Sequence, residues 1–476
     1  MNPQQATRRE AIARLSALSA LGGMAGLGLE PGRIWAGSPG GQKGKARAKS
    51  VVILFAGGGP SQLETWDMRP EAPSAVRGAF KPIATDVPGI RICEHMPRLA
   101  QMAKNYSIYK TLSHVDLEHG SACYLALTGH YHPQKTSNPD PRSNDRPAIG
   151  CLARKLAPEL VGPFGAFHLN GPILMPITPG AGQYPGVLGP AYSAIGLGDP
   201  RLDPATALGL KDRTELPKLR IDGRRVLQSQ LELALQSTDA AMSQSEDRLG
   251  RDVMLEQGYR LLEQPRLRQA FDLSREKVEV HDRYGRHRTG QACLLARRLV
   301  EAGTPWITVF LNQSIRGQDI APADGDACGW DTHNDLFESM ETVLLPRLDQ
   351  AMSALLWDLH GSGRLQDTLV ICMGEFGRAP LVAMEKRFVG NTPGRKHWSA
   401  TYPMVVAGAG TQPGRIIGAT DRHAAYPMTE PAGPWDVAVT CLEALGIATN
   451  GSVIDREGRL LTLPEGRVIE KLWTES

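Results

Sequence analysis

Residues 367–380, Asp367-Thr-Leu-Val-Ile-Cys-Met-Gly-Glu-Phe-Gly-Arg-Ala-Pro380, constrain this chain most, because a short apolar run delivers a carboxylate into a turn flanked by glycines. Residues 368–373 read as a buried strand. Ahead of them Leu344, Leu345, Leu348, Met352, Leu355, Leu356 and Leu359 recur at three- and four-residue spacings, the mark of an amphipathic helix, and Gly361 and Gly363 stop it. Helix, glycine turn, strand and acidic loop make half of a βαβ layer. Sheets of this kind bind ligands beyond the carboxyl ends of their strands, which is where Glu375 falls. A plain ion pair with Arg378 is the competing role for that carboxylate.

The same pattern recurs along the chain. Residues 51–61, Val-Val-Ile-Leu-Phe-Ala-Gly-Gly-Gly-Pro-Ser, form an apolar run ending in a glycine cluster, as a central parallel strand does before a tight turn. No Gly-Lys-Ser/Thr and no G-x-G-x-x-G follows, which argues against a nucleotide site. A polar stretch with Glu64, Trp66 and Asp67 comes next, then a short strand at 106–110. The loop Ser113-His114-Val115-Asp116-Leu117-Glu118-His119-Gly120-Ser121 leads into a helix-like run at 122–128, whose N-terminus would favour an anion. Further strands are expected at 306–311 and 403–407, a last helix at 435–445 and a small strand pair within 453–463. Residues 131–200, rich in Pro, Gly and Asn, read as long surface loops, and 201–298 as two or three amphipathic helices. Together 131–300 form a loop-rich and helical insertion in a domain spanning 51–476.

One stretch carries a ligand pattern of its own. In Cys328-Gly-Trp-Asp-Thr-His333, an extended D-x-H sets Asp331 and His333 on one side of the backbone, suited to gripping a metal. The charge balance, +3 with no dense basic block, excludes a general affinity for nucleic acid. Seven cysteines without C-x-x-C spacing exclude a zinc ribbon or a thioredoxin-like site; most read as core fillers, with room for one or two disulfides.

The first 36 residues read as a targeting segment. Thr7-Arg8-Arg9 precedes a mildly apolar run of Ala, Leu, Gly and Ser, the pattern of a twin-arginine signal read by export machinery. An ordinary amphipathic helix is the alternative, and no stable membrane span is expected in the mature chain. Residues 37–50 read as a linker.

In order along the chain, Gly57-Gly-Gly-Pro-Ser-Gln62 with Trp66-Asp67, His119-Gly-Ser with Leu127-Thr-Gly129, Ala270-Phe-Asp-Leu-Ser274, Arg283-Tyr-Gly-Arg286, Gly329-Trp-Asp-Thr-His333, Gly374-Glu-Phe-Gly-Arg378 and Gly394-Arg-Lys-His397 resemble the exported bacterial family called domain of unknown function fifteen-oh-one. Its wider likeness is to the sulfatase branch of the alkaline phosphatase superfamily. That resemblance implies an α/β fold with a mostly parallel central sheet flanked by helices. It also implies periplasmic or secreted location and a metal-dependent hydrolase of sulfate or phosphate esters. Asp331, His333 and His397 match the positions that would hold one principal divalent ion, zinc or manganese ahead of calcium. Glu375 would be a further ligand or would orient one. Water or Ser121 would attack, His119 would act as base or nucleophile with His114 a weaker candidate, and Arg378 would steady the anion of a small-molecule or glycan ester. The sequence departs from the superfamily pattern at three places: glycines 57–59 replace acidic ligands, Phe376 replaces a ligand histidine, and His119 replaces the cysteine that becomes formylglycine. Those departures favour an alternative, a non-catalytic relative that binds glycan or an exported partner, and also allow an export-associated accessory protein.

Overall fold

A computed structural model describes residues 46–161, 164–202, 264–317 and 325–474, all within the unit Lys43–Ser476. Its centre is an eight-stranded sheet: β1 (Ser50–Phe55), β2 (Ser107–Leu112), β3 (Ala166–Leu169), β4 (Ile195–Leu197), β5 (Trp306–Phe310), β6 (Thr368–Met373), β7 (Tyr402–Ala407) and β8 (Ile416–Ile417). The spatial order is β8-β2-β7-β6-β1-β5-β3-β4. Only β7 runs against the others, pairing antiparallel with both β6 and β2. The expected mostly parallel α/β architecture is therefore present.

Helices cover both faces, which is why the central strands read as unbroken apolar runs rather than alternating ones. Along β1, Val52 and Leu54 join one apolar cluster, while Val51, Ile53 and Phe55 join the other. The first cluster takes in α3 (Arg288–Glu301) and α4 (Leu345–Gly361); the second takes in α1 (His119–Thr128), α2 (Ile149–Leu156) and α5 (Pro434–Ala444). Helix α4 carries the leucine stripe anticipated from spacing, and Gly363 follows it in the left-handed conformation, φ 73°. β1 pairs in register from Val51↔Trp306 to Phe55↔Phe310 on one side and from Ser50↔Thr368 to Phe55↔Met373 on the other. The three strands thus end level, and their outgoing loops emerge together.

Several expectations are revised. Residues 131–200 are not only loops: β3 and β4 extend the central sheet at one edge, and α2 lies between 149 and 156. Strands of four and three residues are too short to show a period, and α2 approaches the sheet so closely that a Cβ on Gly150 would stand 2.6 Å from the Trp306 ring. The end of the expected linker already belongs to the fold, since the amides of Arg47 and Ala48 both donate to the Ala444 carbonyl and that of Lys49 donates to the Asp367 carbonyl. All seven cysteines are buried and free, so the allowance for disulfides is not taken up. The targeting segment at 1–36 and the helical patterns within 203–263 lie outside the described residues. Among the described residues, no helix is long and apolar enough to cross a membrane.

Candidate metal centre

The loops leaving β1 and β6 meet the D-x-H loop at a point where only glycine fits. Gly58 has φ +112°, and a Cβ there would stand 2.4 Å from the Asp331 amide nitrogen. Its own N–H donates to both carboxylate oxygens of Glu375, at 2.9 and 3.1 Å. Gly59, at φ +78°, leaves room for the Phe376 ring, which a Cβ would meet at 2.6 Å. Phe376 is fully buried and packs against the rings of His119 and His397, each at a centroid distance of 4.8 Å. It is a wedge between the His119 and His397 rings.

Around this junction His119, Asp331, His333 and His397 bring one donor atom each to within 4.8 Å of one another. Asp331 Oδ1 lies 3.0 Å from His119 Nε2, 3.2 Å from His333 Nε2 and 3.4 Å from His397 Nε2. The Nε2 atoms of His333 and His397 are 2.8 Å apart. Donors held about 2.0–2.1 Å from one ion at tetrahedral angles stand roughly 3.3 Å from each other, so these separations fit a zinc-sized cation. His119 Nε2 is also buried without a directed hydrogen bond. A buried polar atom in that state ordinarily has a partner, and a cation at the shared point would supply one.

The ring tautomers agree. His119 Nδ1 lies 2.6 Å from Glu375 Oε1, and His397 Nδ1 lies 2.6 Å from the Leu117 carbonyl, so each Nδ1–H donates outward and each Nε2 faces inward. His333 stacks flat on Phe388, with centroids 3.9 Å apart and planes 9° from parallel. Burial, reinforced by the Arg378 charge, pushes the His333 pKa down to about 2. Burial and the neighbouring His119 charge bring His397 down to about 4. Both are neutral imidazoles, the form that binds metal. Burial also acts on His119, but Asp331 and then Glu375 outweigh it and lift that pKa to about 9, so its Nε2 carries a proton toward Asp331 that a bound cation would displace. Against its own burial, Asp331 is held well below the usual carboxylate range by His119 and Arg378. The centre opens to solvent beside His397, whose side chain is 17% exposed, and Asp331, at 11%.

Residues 48–473 match the family model described as Protein of unknown function (DUF1501). The chain belongs to this family. No curated protein matches it. Solved structures similar to this DUF1501 chain include the phosphonate monoester hydrolase from Silicibacter pomeroyi, at 12% identity and TM-score 0.40, covering 90% of this chain and 77% of that one. The PsFucS1 sulfatase from Pseudoalteromonas sp. gives 11% and 0.38, with 92% and 71% covered. The alkaline phosphatase from the Antarctic bacterium TAB5 gives 11% and 0.33, with 84% and 99% covered. At these TM-scores the α/β assignment stands on the sheet itself.

Within the DUF1501 chain, the sequence-based candidates separate into two groups. Asp331, His333 and His397 converge as expected, and His119 joins them as a fourth donor rather than standing off as a base. Glu375 does not reach the shared point; it takes the second of its expected roles and orients His119. Ser121 is buried in the first turn of α1, donating weakly to the Glu118 carbonyl at 3.4 Å and accepting from the Thr136 amide at 3.2 Å. Two residues along a helix from His119, it faces elsewhere. The α1 N-terminus is no open anion site either, because Ser121 N–H donates to Thr136 and a Cβ on Gly120 would collide with Pro139 at 2.2 Å. His114 bridges the Asp116 amide and the Glu375 carbonyl, a supporting role, and burial lowers its pKa.

Arg378 differs most from expectation. Its side chain is fully buried. Nε donates to the Gly59 carbonyl at 2.9 Å and Nη1 to the Arg395 carbonyl at 3.2 Å, while Nη2 serves the carbonyls of Gly58 and Trp330 and the Asp331 carboxylate. Buried and bonded to three converging loops, it ties the centre together rather than facing solvent. Residues the sequence did not single out also contribute: the Leu117 carbonyl, Phe388 and Arg395. Each acts through a backbone atom or a contact across more than fifty residues, for which no local motif exists.

Proposed function

We propose that this DUF1501 chain is a metal-dependent hydrolase of sulfate or phosphate esters working with a single principal metal site. The convergence of three imidazoles and one carboxylate, with inward-facing Nε2 atoms, supports this reading. His119, Asp331, His333 and His397 would hold the ion, and three nitrogen donors favour zinc or manganese over calcium. When bound, such an ion polarises an ester oxygen and lowers the pKa of coordinated water. Glu375 fixes the His119 ring, Arg378 offsets the Asp331 charge, and the side beside His397 admits substrate. Ser121 is turned away from that opening, which leaves water as the attacking group.

The alternative, a non-catalytic protein binding glycan or an exported partner, gains from one observation: Arg378 is fully buried among the loops instead of facing the opening. Metal content and turnover of aryl sulfate and aryl phosphate esters by the purified mature protein separate the two. Stoichiometric zinc or manganese with turnover of either ester is expected. Metal without turnover supports the binding protein, and no metal under replete conditions removes the hydrolase. Export through the twin-arginine route is part of the proposal and rests on Arg8 and Arg9. Changing both to Lys keeps the precursor in the cytoplasm, whereas normal export of that variant would falsify the route.

A further inference from the structure

We propose that Glu64 and Arg395 form a positioning pair that holds His397 in register with the other three metal donors; the inference rests on the metal-centre reading above. Glu64 ends the short turn Gln62–Glu64, and its carboxylate meets the Arg395 guanidinium fork to fork, Nε to Oε2 at 2.9 Å and Nη2 to Oε1 at 2.5 Å. The two side chains are 1% and 0% exposed. The remaining guanidinium hydrogens go to the carbonyls of Val76, at 2.8 Å, Ala379, at 3.3 Å, and Pro380, and Ser61 Oγ donates to Glu64 Oε2. The fork is completely engaged.

The backbone of Arg395 touches the centre from both directions. Its N–H donates to the carbonyl of Thr332, the residue between Asp331 and His333, at 3.3 Å, and its carbonyl accepts from Arg378 Nη1. At Gly394 the chain passes so close to the D-x-H loop that a Cβ would stand 2.5 Å from the carbonyl oxygens of Thr332 and His333. Lys396 accepts the Ala379 N–H, and His397 pairs with Arg378 in a two-residue antiparallel ribbon. The side chain of Arg395 therefore anchors, two residues upstream, the segment that delivers His397 to Asp331 and His333. A buried ion pair adds little net stability compared with apolar packing, but its fixed fork geometry specifies position. Outer partners of metal ligands act in this way, at a typical cost of about 10–100-fold in affinity when removed.

Cobalt(II) titration of the metal-free protein tests this, because its visible spectrum reports ligand geometry as well as binding. Glu64→Gln and Arg395→Lys are expected to weaken cobalt binding by about 10–100-fold and to change the band shape. The control is Asp349→Asn, which alters a buried carboxylate that accepts the Arg98 and Leu99 amides in another part of the fold. That variant is expected to lose thermal stability and keep cobalt affinity and spectrum. If either single variant does not fold, the double Glu64→Leu/Arg395→Met, which leaves no lone buried charge, is read the same way. Unchanged affinity and spectrum in folded variants overturn the positioning role, and so does an equal loss in Asp349→Asn. Failure of the unmutated protein to bind cobalt overturns the metal centre itself, a result distinct from both.

Discussion

Asp331→Ala and His397→Ala each lose more than about 100-fold in zinc affinity, beyond the 10–100-fold that outer partners cost. Asp331 is the only carboxylate among the four donors, and its Oδ1 lies within 3.4 Å of all three Nε2 atoms. Without it, a cation would face three imidazoles and the positive Arg378, with the nearest carboxylate, Glu375, set behind the His119 ring. His397 is the most exposed of the four, and removing it opens the centre on its solvent side. Equilibrium dialysis with metal analysis checks the loss, and circular dichroism checks that the fold is retained. Zinc bound at unmutated affinity by a folded Asp331→Ala protein would show that these four side chains are not the site.

Arg378→Met lowers the unfolding free energy by roughly 3–5 kcal/mol, the usual cost of breaking a buried charged pair by removing one partner. Methionine matches the stem but abandons the carbonyls of Gly58, Gly59, Trp330 and Arg395 and leaves the Asp331 carboxylate buried beside them. Lysine keeps the charge but cannot span three loops with one ammonium, so Arg378→Lys falls between methionine and the unmutated protein. The comparison is Arg387→Ala, at a side chain 74% exposed, expected within about 0.5 kcal/mol of unmutated. Urea unfolding of the metal-free proteins measures all three. A methionine variant as stable as Arg387→Ala would mean that the loops are held by something else.

Much of the fold was legible because its signals are local. The leucine spacing of α4, the stop at Gly363 and the apolar runs of β1, β5 and β6 each lie within one window of sequence. Strands β3 and β4 were not legible, since three or four residues carry no period. At the site, Asp331 and His333 were readable from their alternation, and His397 came from family resemblance. The placing of His119 among the donors was not readable, because it depends on α1 starting at that residue and on Glu375, 256 positions away, fixing the ring.

Sequence alone determined the parallel α/β layer, the glycine turn after β1 and the residue types able to hold a metal, because propensity, periodicity and ligand chemistry belong to single residues and short windows. Only the tertiary structure decided which of them meet. It turned Ser121 away, made Glu375 the support for His119, and withdrew Arg378 from solvent into a strut among three loops. Those outcomes depend on level strand ends and on close approaches at Gly58, Gly59 and Gly394, where the absence of a Cβ has meaning only once the opposing chain is in place.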